Sequence, residues 1–273
     1  MCRLYREPSV RRGLTLVEML LSLAVLAMVA VAMTGLARAV QMNNEYGEAH
    51  ATVTQHARVV LERIERTVSE AVASPSFPGI LVVDTYVGSW RFPDALIVWH
   101  PATGTTAADP AGMPRFNELV IYYPNPREPN QFLEVTLPKD TRVVPAVTSL
   151  STWRSELSNL TSTTSAEKVV LTDLLRTCPV SGLLNAASRG AVRFESRLRP
   201  SADEWSQYSA GSLAWKKMSW VQGVSGWKTG LRQAWVRIEL QLAPAGATGL
   251  GDAAGQPAVA FFGSATLYHE MTQ

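Results

Sequence analysis

An apolar run from Leu14 to Ala37, LTLVEMLLSLAVLAMVAVAMTGLA, limits what this chain can fold into more than any other feature. It spans 24 residues and carries a single charge, Glu18. As a helix rising about 1.5 Å per residue it reaches roughly 36 Å, enough to cross a hydrocarbon core of about 30 Å. Leu, Ala, Val and Met dominate, so helix propensity agrees with hydropathy. Arg3, Arg6, Arg11 and Arg12 precede the run against Glu7 alone, and Arg38, Glu45 and Glu48 follow it. That asymmetry leaves the first 13 residues in the cytoplasm and sends the C-terminal bulk across the membrane. A secretory signal peptide would have a shorter apolar region and a small-residue cleavage site at its far end. A plain signal anchor fits the length and charge but gives no reason for Glu18. A carboxylate within a spanning segment costs free energy, so an ionisable group there points to function.

The residues around that carboxylate form a pattern. Arg12-Gly13-Leu14-Thr15-Leu16-Val17-Glu18 resembles the prepilin cleavage and methylation motif of type IV pilins and type II secretion pseudopilins. The resemblance implies that a membrane-embedded prepilin peptidase cuts after Gly13 and N-methylates Leu14, with Arg11 and Arg12 supplying the leader charge. Leu14 stands where the family usually has Phe or Met. The resemblance further implies that Glu18 sets the register of assembly by neutralising the terminal amine of a neighbouring subunit. The chemistry suits the spacing. Glycine before the scissile bond has no side chain to obstruct a peptidase. Cleavage creates an α-amine that is cationic below a pKa of about 8, and Glu18 lies about one helical turn from it. An unpaired charge in lipid would become a pair within the fibre.

Beyond the apolar run the helical pattern continues. Tyr46, Ala49, Val53, Ala57, Val60, Ile64, Val68 and Ala71 recur every three or four residues, which predicts an amphipathic helix. Ser74-Pro75 ends it, since the residue before proline avoids the α region. Leu14 to Ala73 thus reads as one helix of roughly 90 Å, with Gly35 and Gly47 as weak points. After Pro78 the pattern changes to strands: Ile80–Val87, Ala95–His100, Glu118–Tyr123, Phe132–Leu137, Ala191–Leu198, Gln233–Leu242 and Val259–Tyr268. A Ser/Thr-rich loop from Ser155 leads into an expected helix near Ala166–Arg176. No spacing indicates a parallel βαβ sheet. The expected fold class is α+β, a long N-terminal helix with a membrane-spanning first half packed on an antiparallel sheet domain. Its expected segments are a leader over 1–13, a transmembrane helix over 14–40, an amphipathic continuation over 41–73 and an extracytoplasmic β-rich domain over 74–273.

Leu61–Val72, LERIERTVSEAV, resembles the same stretch of J-type minor pseudopilins and PilW-like minor pilins. Trp-containing segments at Trp215–Val224 and Ala234–Leu242, expected as strands, are similar to that group. The chain is longer than a typical J-type subunit around Thr103–Arg115 and Thr141–Asn185. K-type subunits commonly lack the helix carboxylate, so Glu18 argues against that role. The resemblance implies a minor subunit held in the inner membrane and then in a fibre. Its implied partners are prepilin peptidase, other pilin or pseudopilin subunits through the N-terminal helix, a membrane assembly platform and the lipid bilayer. The alternative is a single-pass anchored enzyme or binding domain outside the membrane that never enters a fibre.

Composition narrows the other classes. With 25 basic and 23 acidic residues the chain lacks the basic excess expected of a nucleic-acid binder, and no nucleic-acid partner is expected. Removal of the leader takes Cys2 and leaves Cys178 alone, so no intramolecular disulfide forms in the mature chain. His50 and His56 are six apart and share no helix face as a metal pair would; His100 and His269 fall at strand ends. Asp84, Asp94, Asp109 and Asp252 are isolated in sequence. Gly223-Val224-Ser225-Gly226 lacks the spacing of a nucleophile elbow. No catalytic residue, metal ligand or cofactor is expected, and the eight Trp residues are read as core, with indole N–H groups satisfied locally.

Overall fold

The computed structural model describes residues 15–101, 112–160, 163, 165–180, 188–221, 229–244 and 258–270. The first element is the helix α1, Leu16–Ser69, which is helical through both Gly35 and Gly47. It stops at Ser69 rather than at Ala73, because the Val72 N–H turns away to donate to the Trp99 carbonyl at 2.9 Å. Ser74 then ties down the following turn, its hydroxyl accepting from the Phe77 N–H at 3.0 Å. The chain divides into two compact units, Met1–His50 and Ala51–Gln273.

In the second unit five strands form an antiparallel sheet in the order β1 (Ile80–Val87), β2 (Trp90–Trp99), β3 (Leu119–Pro124), β4 (Phe132–Thr136) and β5 (Glu167–Thr172). The β1–β2 hairpin closes on Gly88-Ser89, where Gly88 has φ 60°, the left-handed backbone that two-residue hairpin turns require. A bulge between Val83 and Thr85 breaks the register of β1. Three further strands, β8 (Val192–Arg199), β9 (Leu231–Leu242) and β10 (Val259–Glu270), form a second antiparallel sheet in the order β10-β9-β8. A short ribbon pairs β6 (Thr177–Pro179) with β7 (Ser188–Gly190). The described elements also include two α-helices, α2 (Leu150–Leu160) and α3 (Ala202–Ser209). A long apolar N-terminal helix with antiparallel sheets is an α+β, pilin-like arrangement.

Two cores bury both faces of the sheet over β1 to β4, whereas the edge strand β5 is mostly exposed. Ile80, Leu96, Val98, Val120, Tyr122 and Phe132 meet Val53, Ala57, Val60, Ile64 and Val68 of α1, together with Phe194, Val236, Ile238, Leu240 and Leu267 of the second sheet. Each fully buried Val, Ile or Leu there is worth about 1.5–3 kcal/mol. On the opposite face Val83, Ala95, Ile97, Ile121, Leu133 and Val135 meet Trp153, Leu157 and Leu160 of α2. The amphipathic spacing of α1 thus has its expected consequence, and its apolar stripe is core.

Three expectations need correction. Ala166–Arg176 is not a helix: Glu167–Thr172 pairs with β4 as the edge strand β5. The helix lies earlier, at Leu150–Leu160, within a stretch whose serines read as loop. The expected strand Trp215–Val224 is not one over its described part, Trp215–Val221. Trp215–Lys217 forms a 3-10 turn, and Trp215, Met218, Trp220 and Val221 pack with Trp205 and Tyr208 of α3 as a small separate cluster.

Candidate processing and assembly site

Of the residues expected to carry processing and assembly, Arg11, Arg12, Gly13 and Leu14 lie outside the described residues. Glu18 lies within them, in the first turn of α1. The carboxylate does not hang free. Its Oε2 accepts from the Thr15 N–H at 2.9 Å and from the Thr15 hydroxyl at 3.0 Å. In return the Thr15 Oγ1 accepts from the Glu18 N–H at 3.3 Å. This reciprocal pair is a capping box, and it satisfies backbone N–H groups that a helix start leaves without partners. It also holds a negative charge at the positive end of the helix dipole. Thr15 went unnoticed in the sequence, although Thr-x-x-Glu before an apolar run is itself the signature of a helix start.

Over residues 16–37, within the unit Met1–His50, the helix is apolar around its whole circumference. Leu16, Val17, Leu20, Leu21, Leu23, Leu26, Met28, Val31, Met33 and Leu36 are all exposed. The helix is long and apolar enough to cross a membrane, and an apolar surface on every face of a helix demands lipid or other helices as its surroundings. Two polar side chains along it are satisfied locally. Thr34 donates to the Ala30 carbonyl at 2.8 Å, and Gln41 donates to Glu45 at 2.9 Å.

Within the unit Ala51–Gln273, polar clamps reinforce the seat of α1 on the sheets. Arg63 donates through Nε and Nη2 to both oxygens of Glu134 on β4, at 2.9 and 2.8 Å. This fork geometry matches a carboxylate and is directional as well as attractive. The Glu134 carboxylate raises the already high pKa of Arg63, so the cation persists at every accessible pH. The buried Tyr122 hydroxyl donates to Thr67 Oγ1 at 2.8 Å, and burial pushes its pKa well above the usual tyrosine value. His56 Nδ1 stands 3.1 Å from Thr172 Oγ1. At Gly263 of β10 an added Cβ would lie 2.9 Å from Leu61 Cδ2 and 3.0 Å from Glu65 Oε1, so the strand lies close against the helix.

The remaining polar residues are dispersed. His100 Nε2 is 3.2 Å from a Glu70 oxygen, whereas His269 is partly buried with neither ring nitrogen bonded among the described residues. Asp84 pairs with Arg91 at 2.7 Å, and Asp94 with Arg189; Asp109, Asp252 and the segment Gly223–Gly226 lie outside the described residues. Cys178 of β6 is a free thiol, and Cys2 lies outside the described residues. Among the described residues no three His, Cys, Asp or Glu side chains gather as a metal site would require. The Trp residues divide. Trp99, Trp153, Trp215 and Trp220 are buried, while Trp90 is exposed, and the Trp99 and Trp220 indole N–H groups have no partner among the described residues. Trp153 matches the expectation in full, donating to the Ala146 carbonyl at 3.2 Å.

Compared with known proteins, the chain matches the family model of the prokaryotic N-terminal methylation motif over residues 8–34. No curated protein and no solved structure matches it. The match covers residues 8–13 ahead of the helix, the capped helix start and most of the apolar run, and it supports a type IV pilin-like or pseudopilin precursor.

Proposed function

We propose that this chain is a minor subunit of a pilin-like fibre, a type II secretion pseudopilus or a type IV pilus-like filament. Prepilin peptidase cuts it between Gly13 and Leu14 and methylates Leu14, and it enters the fibre by packing α1 against the helices of other subunits. The role is structural, with no catalysis by the chain itself. It waits in the inner membrane, leader inside and domain outside, until the assembly platform extracts it. The methylation motif at residues 8–34, set at the start of a helix apolar on every face, carries this reading. The size of the β-rich domain and the Leu61–Val72 segment favour a J-type or PilW-like subunit over a compact major one.

The Thr15–Glu18 box refines the part assigned to Glu18. On this reading the carboxylate has two uses, capping its own helix and receiving a neighbour's terminal amine, and the two are separable. Glu18→Gln keeps an amide oxygen to accept from the Thr15 N–H but removes the charge. The expected outcome is that E18Q inserts in the membrane and folds normally yet fails to enter fibres, and that E18A fails in the same way. Fibre incorporation of E18Q at the native level would refute the charge-pairing role of Glu18, whereas absence of the native chain itself from fibres would favour an anchored domain that never assembles.

A further inference from the structure

A cavity of about 350 Å³ opens between α2 and the strands β1 to β3, walled by Tyr86, Tyr123, Pro124 and Leu157 and flanked by Arg154 and Arg189. One side of it is already neutral. Arg189 bonds to both Asp94 and Thr85, and the Thr85 hydroxyl donates to the other Asp94 oxygen at 2.7 Å. The Arg189 guanidinium also lies 4.8 Å above the Phe92 ring. The Asp94 charge is therefore already balanced by Arg189.

Arg154 differs. Its Nε donates only to the neutral Asp84 carbonyl, at 3.1 Å, and its guanidinium lies 4.7 Å over the Tyr86 ring. No carboxylate among the described residues pairs with it; that of Asp84 goes to Arg91. A second polar group stands without a partner. Tyr123 is 5% exposed, and its hydroxyl has no hydrogen-bond partner among the described residues. Burial pushes that hydroxyl up to about 12, so at neutral pH it remains a donor without an acceptor.

We propose that this cavity binds a carboxylate carried on a flat apolar body, either a free aromatic acid or the C-terminal carboxylate of a peptide ending in an aromatic residue. The volume lies at the small end of ligand sites, which run from roughly 300 to 1,000 Å³, and suits a body of about one ring. Proline and tyrosine walls supply apolar contact. A guanidinium offers the planar fork that a carboxylate matches, and stacking on Tyr86 holds its plane before the ligand arrives. One uncompensated cation in a mostly apolar cavity calls for a monoanion. This binding site is independent of fibre assembly and stands or falls separately from it.

Calorimetric titration of the full chain in non-ionic detergent tests the site. The probes are phenylacetate, phenylacetamide, and the peptide N-acetyl-Gly-Gly-Phe with a free or an amidated C-terminus. At least one free-acid probe should saturate a single site per chain. Its neutral amide, and the R154Q variant, should bind about tenfold more weakly, or worse. A tighter peptide acid identifies a chain terminus as the source; tighter phenylacetate identifies a small acid. Failure of both acids to saturate by about 10 mM, or equal binding of acid and amide, would overturn the proposal. The acid–amide comparison uses only the native chain, so it decides the matter even if R154Q fails to fold. Undiminished binding by a folded R154Q would also overturn it.

Discussion

Replacing Arg63 with Gln tests whether α1 is clamped to the sheet by charge as well as by apolar packing. In the native chain both Glu134 oxygens are taken by the Arg63 fork, at 2.9 and 2.8 Å. The Glu134 side chain is 8% exposed and that of Arg63 55%. Stripping the partner from a fully buried ion pair costs about 3–5 kcal/mol, because a buried charge is left alone. Exposed pairs are worth about 0–1 kcal/mol, because water screens them. With one partner buried and the other more than half in water, the expected loss for R63Q is about 2 kcal/mol. For a domain of this size each 1 kcal/mol moves the melting temperature by about 2–4 °C, so a fall of about 4–8 °C is expected in detergent-solubilised full chain. The double variant R63Q/E134Q replaces the stranded carboxylate with a neutral amide and should recover all but about 1 kcal/mol. A double variant no more stable than R63Q would refute the reasoning, since the cost would then not come from an uncompensated Glu134.

Other expectations follow from packing and titration. Ile64→Ala removes a side chain 0% exposed and should cost about 2–5 kcal/mol; Val59→Ala, on the outer side of the same helix at 56% exposed, should change stability by less than about 0.5 kcal/mol. Gly79→Ala should cost at least about 2 kcal/mol in the same melts. That residue has φ 85°, and an added Cβ would stand 2.4 Å from Leu267 Cδ2 and 2.9 Å from the Val72 carbonyl oxygen. Burial and the nearby Arg232 charge lower His269 to about 4, whereas the unfolded imidazole titrates near 6.5. Between those values the unfolded chain binds the extra proton, so stability should fall as pH drops from about 6.5 toward 4. His269→Gln should flatten that slope, by on the order of 1 kcal/mol because the ring is partly in water; an unchanged slope in pH-dependent melts would show that other groups set it.

Where the sequence was legible, the reason was periodicity. The three-and-four spacing of Val53, Ala57, Val60, Ile64 and Val68 predicted an apolar stripe on one helix face, the face that packs on the domain. The β1 bounds, Ile80–Val87, fell out of a β-branched run closed by Gly88. Legibility failed where partners decide. Val169 and Val170 can sit in either a helix or a strand; pairing with β4 chose the strand, a tertiary contact that no local pattern contains. Arg189 reaches Asp94 across 95 positions of sequence, and spacing carries no trace of such a meeting.

Some signals were present and unread. Trp153, Leu157 and Leu160 share the helical spacing that places α2, masked by surrounding serines. Ser201 and Glu204 form a capping box at the start of α3, the same signature as Thr15 and Glu18. At the candidate site the sequence placed the carboxylate but treated it as unpartnered. The Thr15 hydrogen bonds show that its charge is already held by its own helix, so a neighbour's amine would add to an existing polar cluster.

Intact-mass and N-terminal peptide mass spectrometry of the protein purified from cells containing its prepilin peptidase decides whether the motif is used. A chain beginning at Leu14 and carrying one methyl group on its terminal nitrogen is the predicted result. A chain that keeps residues 1–13, or that begins at any other residue, would contradict the assignment to a processed fibre subunit.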